Sequence, residues 1–303
     1  MSKLLSGPFL IFIAAILWGF DGVLRRVLYD LPPITIVFYE HMIGLIILAP
    51  FLVLLWRKET FTLREWSAIG IVSLLSGVLG TLFFTTALLK INFISFSVVF
   101  LVQKLQPIFT FATAAVVLKE RVSPAHFGWG AIALVAGYFV TFPGGVVNLG
   151  EGGAYVSAAL FALLAAVAWG SSTAFSRYTL MGHSNTLVTG LRFLITAPIA
   201  LIFLFALGAG PTLAAVTVPQ ILTLVLIALS TGMVALWIYY RGLKKTPASV
   251  SAIIELAFPL TAVLIDYFLY DTVLQWGQYA AAAVLLFAMY RVSLLNVRQG
   301  TTE

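Results

Sequence analysis

Cysteine is absent from this chain, and charged residues are scarce, at 9% of 303 residues. The lack of cysteine excludes a disulfide scaffold, a thiolate metal site and a cysteine nucleophile. The lack of charge excludes an ordinary soluble domain, in which about 25% of residues are charged and about 45–50% apolar. Here 61% are hydrophobic and the mean hydropathy is +1.07. No aqueous fold buries that much apolar surface, so the solvent is lipid. Other absences narrow the function. There is no GxxxxGK[ST] loop and no GxGxxG after a strand, which argues against nucleotide-driven work within the chain. His41, His126 and His183 lack metal-ligand spacing, and no Ser/His/Asp arrangement is present. The chain is therefore expected to hold no metal, to need no cofactor and not to be an enzyme. Its formal net charge of +6 reads as membrane topology rather than as nucleic-acid binding.

What is present is a sequence that repeats itself. Trp18-Gly19 recurs as Trp169-Gly170, 151 residues later, and Gln103-x-x-x-Pro107 recurs as Glu255-x-x-x-Pro259, 152 residues later. The apolar stretch from Phe111 to Glu120 has its counterpart in Leu264 to Asp271. Two copies of one unit follow, residues 1–145 and 146–303, joined near Gly144 to Gly153. A span needs about 20 apolar residues, and ten candidates emerge: 8–28, 34–56, 66–88, 95–117, 124–142, 154–176, 186–207, 217–240, 247–269 and 273–295. The fold class is an all-α membrane protein of ten transmembrane helices. Five spans per copy is an odd number, so the second copy enters the membrane upside down. Such inverted five-helix repeats are typical of secondary transporters, with the substrate near the midplane between the halves.

Met1 to Phe20 resembles a signal peptide, but Leu17-Trp18-Gly19-Phe20 is a poor cleavage site and belongs to the repeat, so a retained first helix is expected. With the N-terminus in the cytoplasm, twelve basic residues fall at or near cytoplasmic ends, among them Arg57, Lys58, Arg121, Lys244 and Lys245. Only Arg25, Arg26 and Lys90 fall toward the outside, while Lys104 and Arg192 lie inside spans. That bias predicts both termini in the cytoplasm; the expected location is a cell inner (plasma) membrane.

Charges within spans are costly and face a cavity or a partner. Asp21 and Arg25 lie one helical turn apart and can pair. Glu40 and Arg192 are 152 residues apart, hence equivalent in the two copies, as are Gln103 and Glu255. Depth along the helices suggests two pairs, Glu40 with Lys104 and Arg192 with Glu255, acting either as helix locks or as substrate contacts. Pro107 and Pro259 remove backbone hydrogen bonds in mid-helix and read as kinks or gating hinges. Trp18, Trp169 and Trp237 lie deeper than the interfacial tryptophans, and Tyr239-Tyr240 end span 8. The expected cavity set is Trp18, Asp21, Glu40, Gln103, Lys104, Trp169, Arg192, Trp237, Tyr240 and Glu255. Arg26 and Asp266 sit near span ends. Small residues in spans 5 and 10 allow close packing or a dimer, so monomer and dimer both stand.

These landmarks (Trp-Gly in spans 1 and 6, mid-helix prolines in 4 and 9, an acidic residue about a dozen positions later at Glu120 and Asp271) resemble the drug/metabolite transporter superfamily, in particular its ten-span EamA-type permeases. The resemblance covers two units, about 8–142 and 154–295. It implies a cavity framed by spans 1–4 and 6–9 and alternating access by rocking bundles. It also implies a small-molecule substrate; one branch is the YddG-type amino acid exporters. This chain departs from the common pattern in having Leu105 and Ala257, not Glu, two residues before each proline. With carboxylates for an amine and cations for a carboxylate, the expectation is an exporter of a small polar or zwitterionic metabolite, an amino acid or analogue. Organic cations, or a lipid-handling role, are the alternatives. Protons are a candidate coupling ion, through Glu40 or Glu255, and facilitated diffusion fits equally well.

Overall fold

The structure, a computed structural model, describes residues 6–90, 99, 102–146, 153–258, 260, 261, 265, 268 and 275–300. Pro259, Asp266 and Asp271 lie outside the described residues, as do parts of spans 4, 9 and 10. Among the described residues all regular structure is helical: α1 Gly7–Arg26, α2 Pro33–Leu55, α3 Leu63–Lys90, α4 Gln106–Leu118, α5 Pro124–Thr141, α6 Gly153–Gly182, α7 Asn185–Ala206, α8 Val218–Leu243, α9 Ala248–Ala257 and α10 Trp276–Gly300. Seven of these are long and apolar enough to cross a membrane. Large apolar side chains such as Ile46, Val53, Ile202, Phe205, Leu222 and Phe287 cover the outside. In water that coat would be a liability; in hydrocarbon it is the stable arrangement, because helices satisfy their own backbone groups.

Helix starts follow local rules. Prolines stand in the first turn of α1, α2, α4, α5 and α8, where a missing N–H costs nothing. The third helix of each copy opens with a capping box, Thr62 with Glu65 in α3 and Thr217 with Gln220 in α8.

The packing carries the internal symmetry. Helix α1 packs on α8 and α3 on α6, while α2 packs on α7, α4 on α9 and α5 on α10. A two-fold operation that carries α1–α5 onto α6–α10 exchanges the first two contacts and returns each of the other three to itself. The copies are inverted. Ile34 and Val37, early in α2, cluster with Ala200 and Leu204, late in α7. Leu52, late in α2, clusters with Leu187 and Leu191, early in α7. Equivalent helices therefore run antiparallel, as the odd span count predicts.

The repeated Trp-Gly has a packing reason. A Cβ on Gly170 would lie 2.6 Å from the Gln106 carbonyl oxygen of α4, and one on Gly19 would lie 2.2 Å from Thr261 Cβ. Both sites are crossings of a copy's first helix with the other copy's fourth-helix region, and only glycine lets the backbones approach so closely.

Candidate functional site: a charged aromatic cavity between the halves

The symmetry that pairs the halves also leaves a gap between them. A cavity of about 180 Å³ lies there, bordered by residues of α1, α2, α3, α4, α6, α7, α8 and α9. Irregular backbone feeds it. Helix α1 is interrupted at Phe20 and resumes at Asp21. Helix α3 widens to a π-helical stretch over Ser73–Gly80, and α8 breaks near Thr231, where Gly232 N bonds back five residues to the Ile227 carbonyl at 2.7 Å. Gly80 and Gly232 are 152 residues apart, so the two third helices loosen at equivalent depth. Such local widening frees backbone groups and often sits at functional sites. The Ser76 carbonyl accepts from Trp169 Nε1 at 3.2 Å and from Thr81 Oγ1 at 3.2 Å.

Three carboxylates and three cations border the cavity: Asp21, Glu40 and Glu255 with Arg25, Lys104 and Arg192. Their pairing differs from the sequence expectation. Glu40 does not meet Lys104; it accepts from Arg25 Nη2 at 2.7 Å, and the same guanidinium binds Asp21 through Nε. Thr231 Oγ1 donates to the other Asp21 oxygen at 2.7 Å, tying α1 to α8. Lys104 turns toward α5, where Nζ donates to the Gly137 carbonyl at 2.7 Å and to Thr141 Oγ1, with the Phe142 ring 5.7 Å away. Arg192 does not meet Glu255 either. It donates to Tyr240 OH at 3.0 Å and to Ser76 Oγ at 2.8 Å. Glu255 is held by three neutral donors: Tyr239 OH at 2.7 Å, Ser251 Oγ at 3.0 Å and Gln106 Nε2 at 2.9 Å. The last of these bridges α4 and α9, and so joins the halves.

Trp18, Asp21, Glu40, Gln103, Lys104, Trp169, Arg192, Tyr240 and Glu255 all border this one cavity, together with Pro107. Trp237 turns elsewhere: its indole donates to Thr186 Oγ1 at 2.9 Å and carries the Arg241 guanidinium at 5.7 Å. Further residues at the cavity lie outside the expected set, among them three beside named positions. Tyr239 packs against Trp18 with ring centroids 5.0 Å apart and planes tilted by 55°. Gln106 precedes Pro107 and sits one turn after Gln103. His41 neighbours Glu40, bonds the Val37 carbonyl at 2.8 Å and lies 5.0 Å from the Phe193 ring. Adjacency to a named residue was the signal in each case. Three buried polar atoms at the cavity have no partner among the described residues: Arg25 Nη1, Arg192 Nε and Gln103 Oε1. Leaving such an atom unmatched costs about 1–3 kcal/mol, so each is an open position for water or a ligand.

Glu120 has a structural task. Its carboxylate accepts from the Ala248 and Ser249 amides at 2.8 and 3.1 Å, capping α9, and lies 3.4 Å from Arg177 of α6.

Comparison with known proteins agrees with this architecture. The model of the EamA-like transporter family matches residues 5–142 and 156–294. A riboflavin transporter, ImpX, of Fusobacterium nucleatum subsp. nucleatum is 35% identical over 303 residues, spanning 98% of this chain and 100% of that protein. A crystal structure of a protein 18% identical superposes with a TM-score of 0.73 over 97% of this chain and 98% of that one, which speaks to the fold alone. Two matched units, inverted helix packing and a polar cavity between the halves lead to one conclusion: the chain belongs to the EamA-like transporter family, as a multi-pass membrane permease for a small molecule.

Proposed function

We propose that this permease carries riboflavin or a close flavin, a neutral planar heteroaromatic with a polar edge, by alternating access between the inverted halves. The observation that carries the reading is the balance of the cavity. Its carboxylates and cations are equal in number: Asp21 and Glu40 are both engaged by Arg25, while Glu255, Lys104 and Arg192 are held by neutral partners. What remains open are aromatic faces and three unmatched hydrogen-bonding atoms. Trp18 and Trp169, equivalent in the two copies, offer stacking surfaces from opposite halves. The two arginine donors and the Gln103 acceptor complement a carbonyl, N–H, carbonyl edge such as a flavin presents. The full-length relative's name points to the same substrate class. An amino acid loses part of the support the sequence reading lent it, because Asp21 and Glu40, two of the three carboxylates expected to meet an amine, are both taken by Arg25. The same pairing weakens an organic cation.

In this mechanism Glu255 is the junction. The Gln106–Glu255 bond spans α4 and α9, beside Pro107 in the first turn of α4, and breaking it lets the halves separate on one side. The N- and C-termini face the cytoplasm, the location is the inner membrane, and no catalytic step is involved. Protons remain the candidate coupling ion. Flavin fluorescence tests substrate contact directly. Purified protein quenches riboflavin on binding, and Trp18→Ala weakens the affinity about tenfold, on the order of 1.4 kcal/mol. Quenching unaltered by Trp18→Ala and Trp169→Ala would show that the flavin does not stack in this cavity.

A further inference from the structure

A second concavity, distinct from the substrate cavity, opens on the outside of the molecule. It is a groove of about 580 Å³ between α4, α5 and α9. Its walls are apolar, from Ile108, Phe111, Phe127, Leu134 and Ile253, and its floor is small, with Ala112, Ala115, Gly130 and Ala131. Ile108 and Phe127 are more than half exposed at its rim, at 55% and 54%. In a chain that spans a bilayer, such a groove faces hydrocarbon. An empty crevice there forfeits dispersion contacts on one side, so an acyl chain belongs in it.

One end of the groove is chemically distinct. Helix α4 stops at Lys119, which adopts a left-handed backbone at φ 55°. Lys119 and Arg121 are both exposed and flank Glu120 and Val122, which line the groove. The Glu120 charge is engaged by the start of α9 and by Arg177, so it does not cancel the two cations. By the distribution of basic residues this end is cytoplasmic, where the leaflet is anionic and each nearby Lys or Arg is attracted to it.

The inner wall matters as much. Pro107 and Leu256 line both this groove and the substrate cavity. They are the partition between the two spaces, and they sit on α4 and α9, which the Gln106–Glu255 bond joins. We propose that the groove is a binding site for an anionic phospholipid, its acyl chain laid between α4 and α5 and its headgroup on Lys119 and Arg121. A chain seated there presses on the partition from outside and supports the α4–α9 contact.

The test uses full-length protein in a neutral detergent, with phosphatidylglycerol or phosphatidylcholine of identical acyl chains added. Phosphatidylglycerol is expected to raise the unfolding temperature by several degrees more than phosphatidylcholine. The Lys119→Gln/Arg121→Gln variant loses that difference, and Ala131→Phe, which fills the floor, loses the response to both lipids. If Ala131→Phe does not fold, a phosphatidylglycerol bearing a diazirine on its acyl chain supplies the same information in the wild type. Its label is expected on peptides from residues 106–134 and 248–257. Equal stabilisation by the two lipids, or label spread evenly over all ten helices, overturns the proposal.

Discussion

Arg25 binds two carboxylates at once, and the cavity depends on it. Its guanidinium is buried, at 4% side-chain exposure, between Asp21 and Glu40. Removing one partner of a buried charge network is far costlier than never having built it, about 3–5 kcal/mol, because the remaining charges stay desolvated and unmatched. Arg25→Leu is therefore expected to lower the unfolding temperature sharply, whereas Glu40→Gln, which keeps an acceptor beside the guanidinium, costs much less. Thermal unfolding in detergent measures both, and equal effects would contradict this view of the triad. Residue identity at the cavity was largely legible from the 151–152 spacing, because equivalent positions in an inverted pair converge at the midplane. The partners were not. Depth grouped Lys104, near the middle of its span, with Glu40, toward the outside, but the chain turns at Lys104–Leu105 before α4 restarts at Gln106. Each residue adds about 100° around a helix, so a break of two residues sends the side chain to another face. Lys104 accordingly meets Gly137 and Thr141. Arg25 read as a local partner of Asp21; its planar fork of five N–H donors reaches a second carboxylate that a one-turn spacing does not disclose.

At the scale of elements, the crossings of α1 with α9 and of α6 with α4 set how closely the halves approach. Gly170→Val is expected to destabilise the protein by about 1–3 kcal/mol or to prevent assembly, since its side chain would press on the backbone of α4. Gly128→Ala in α5, where nothing lies within 4 Å, serves as the control and leaves stability unchanged. Comparable behaviour of the two variants would remove the packing explanation for the repeated Trp-Gly. The far end of the bundle has its own fastening. His183, between α6 and α7, stacks on Phe61 at 3.8 Å and sets Nδ1 2.9 Å from Glu59 and Nε2 3.0 Å from Glu65, the latter off the hydrogen-bond axis. Lys244 donates to its carbonyl at 2.7 Å. Loops of both halves thus meet at one imidazole. Element boundaries were legible because prolines and capping residues mark helix starts. The π-helical stretch in α3 was not, because Ser73–Gly80 has no proline and keeps an ordinary apolar pattern.

At the scale of the whole molecule, the inversion ties topology to function. An odd number of helices per copy puts the linker near Val146 on the side opposite both termini. The absence of cysteine makes this directly measurable, since any introduced cysteine is the only one. In intact cells an impermeant maleimide is expected to label Val146→Cys and to spare Lys3→Cys and Glu303→Cys. Labelling of either terminus from outside would reverse the orientation, and labelling of one alone would break the inverted pair. The fold was readable at this scale because a two-fold repeat and hydropathy constrain it doubly. The substrate was not, because the composition of a cavity indicates which charges are present and not which are already spent on one another. The measurement that bears most directly on the account is flux of riboflavin in proteoliposomes holding the purified chain. The account predicts saturable flux that free flavin ring competes with and amino acids do not, and that falls at least tenfold in Trp18→Ala/Trp169→Ala. No flavin flux by folded protein, or flux inhibited by amino acids in place of flavins, contradicts it.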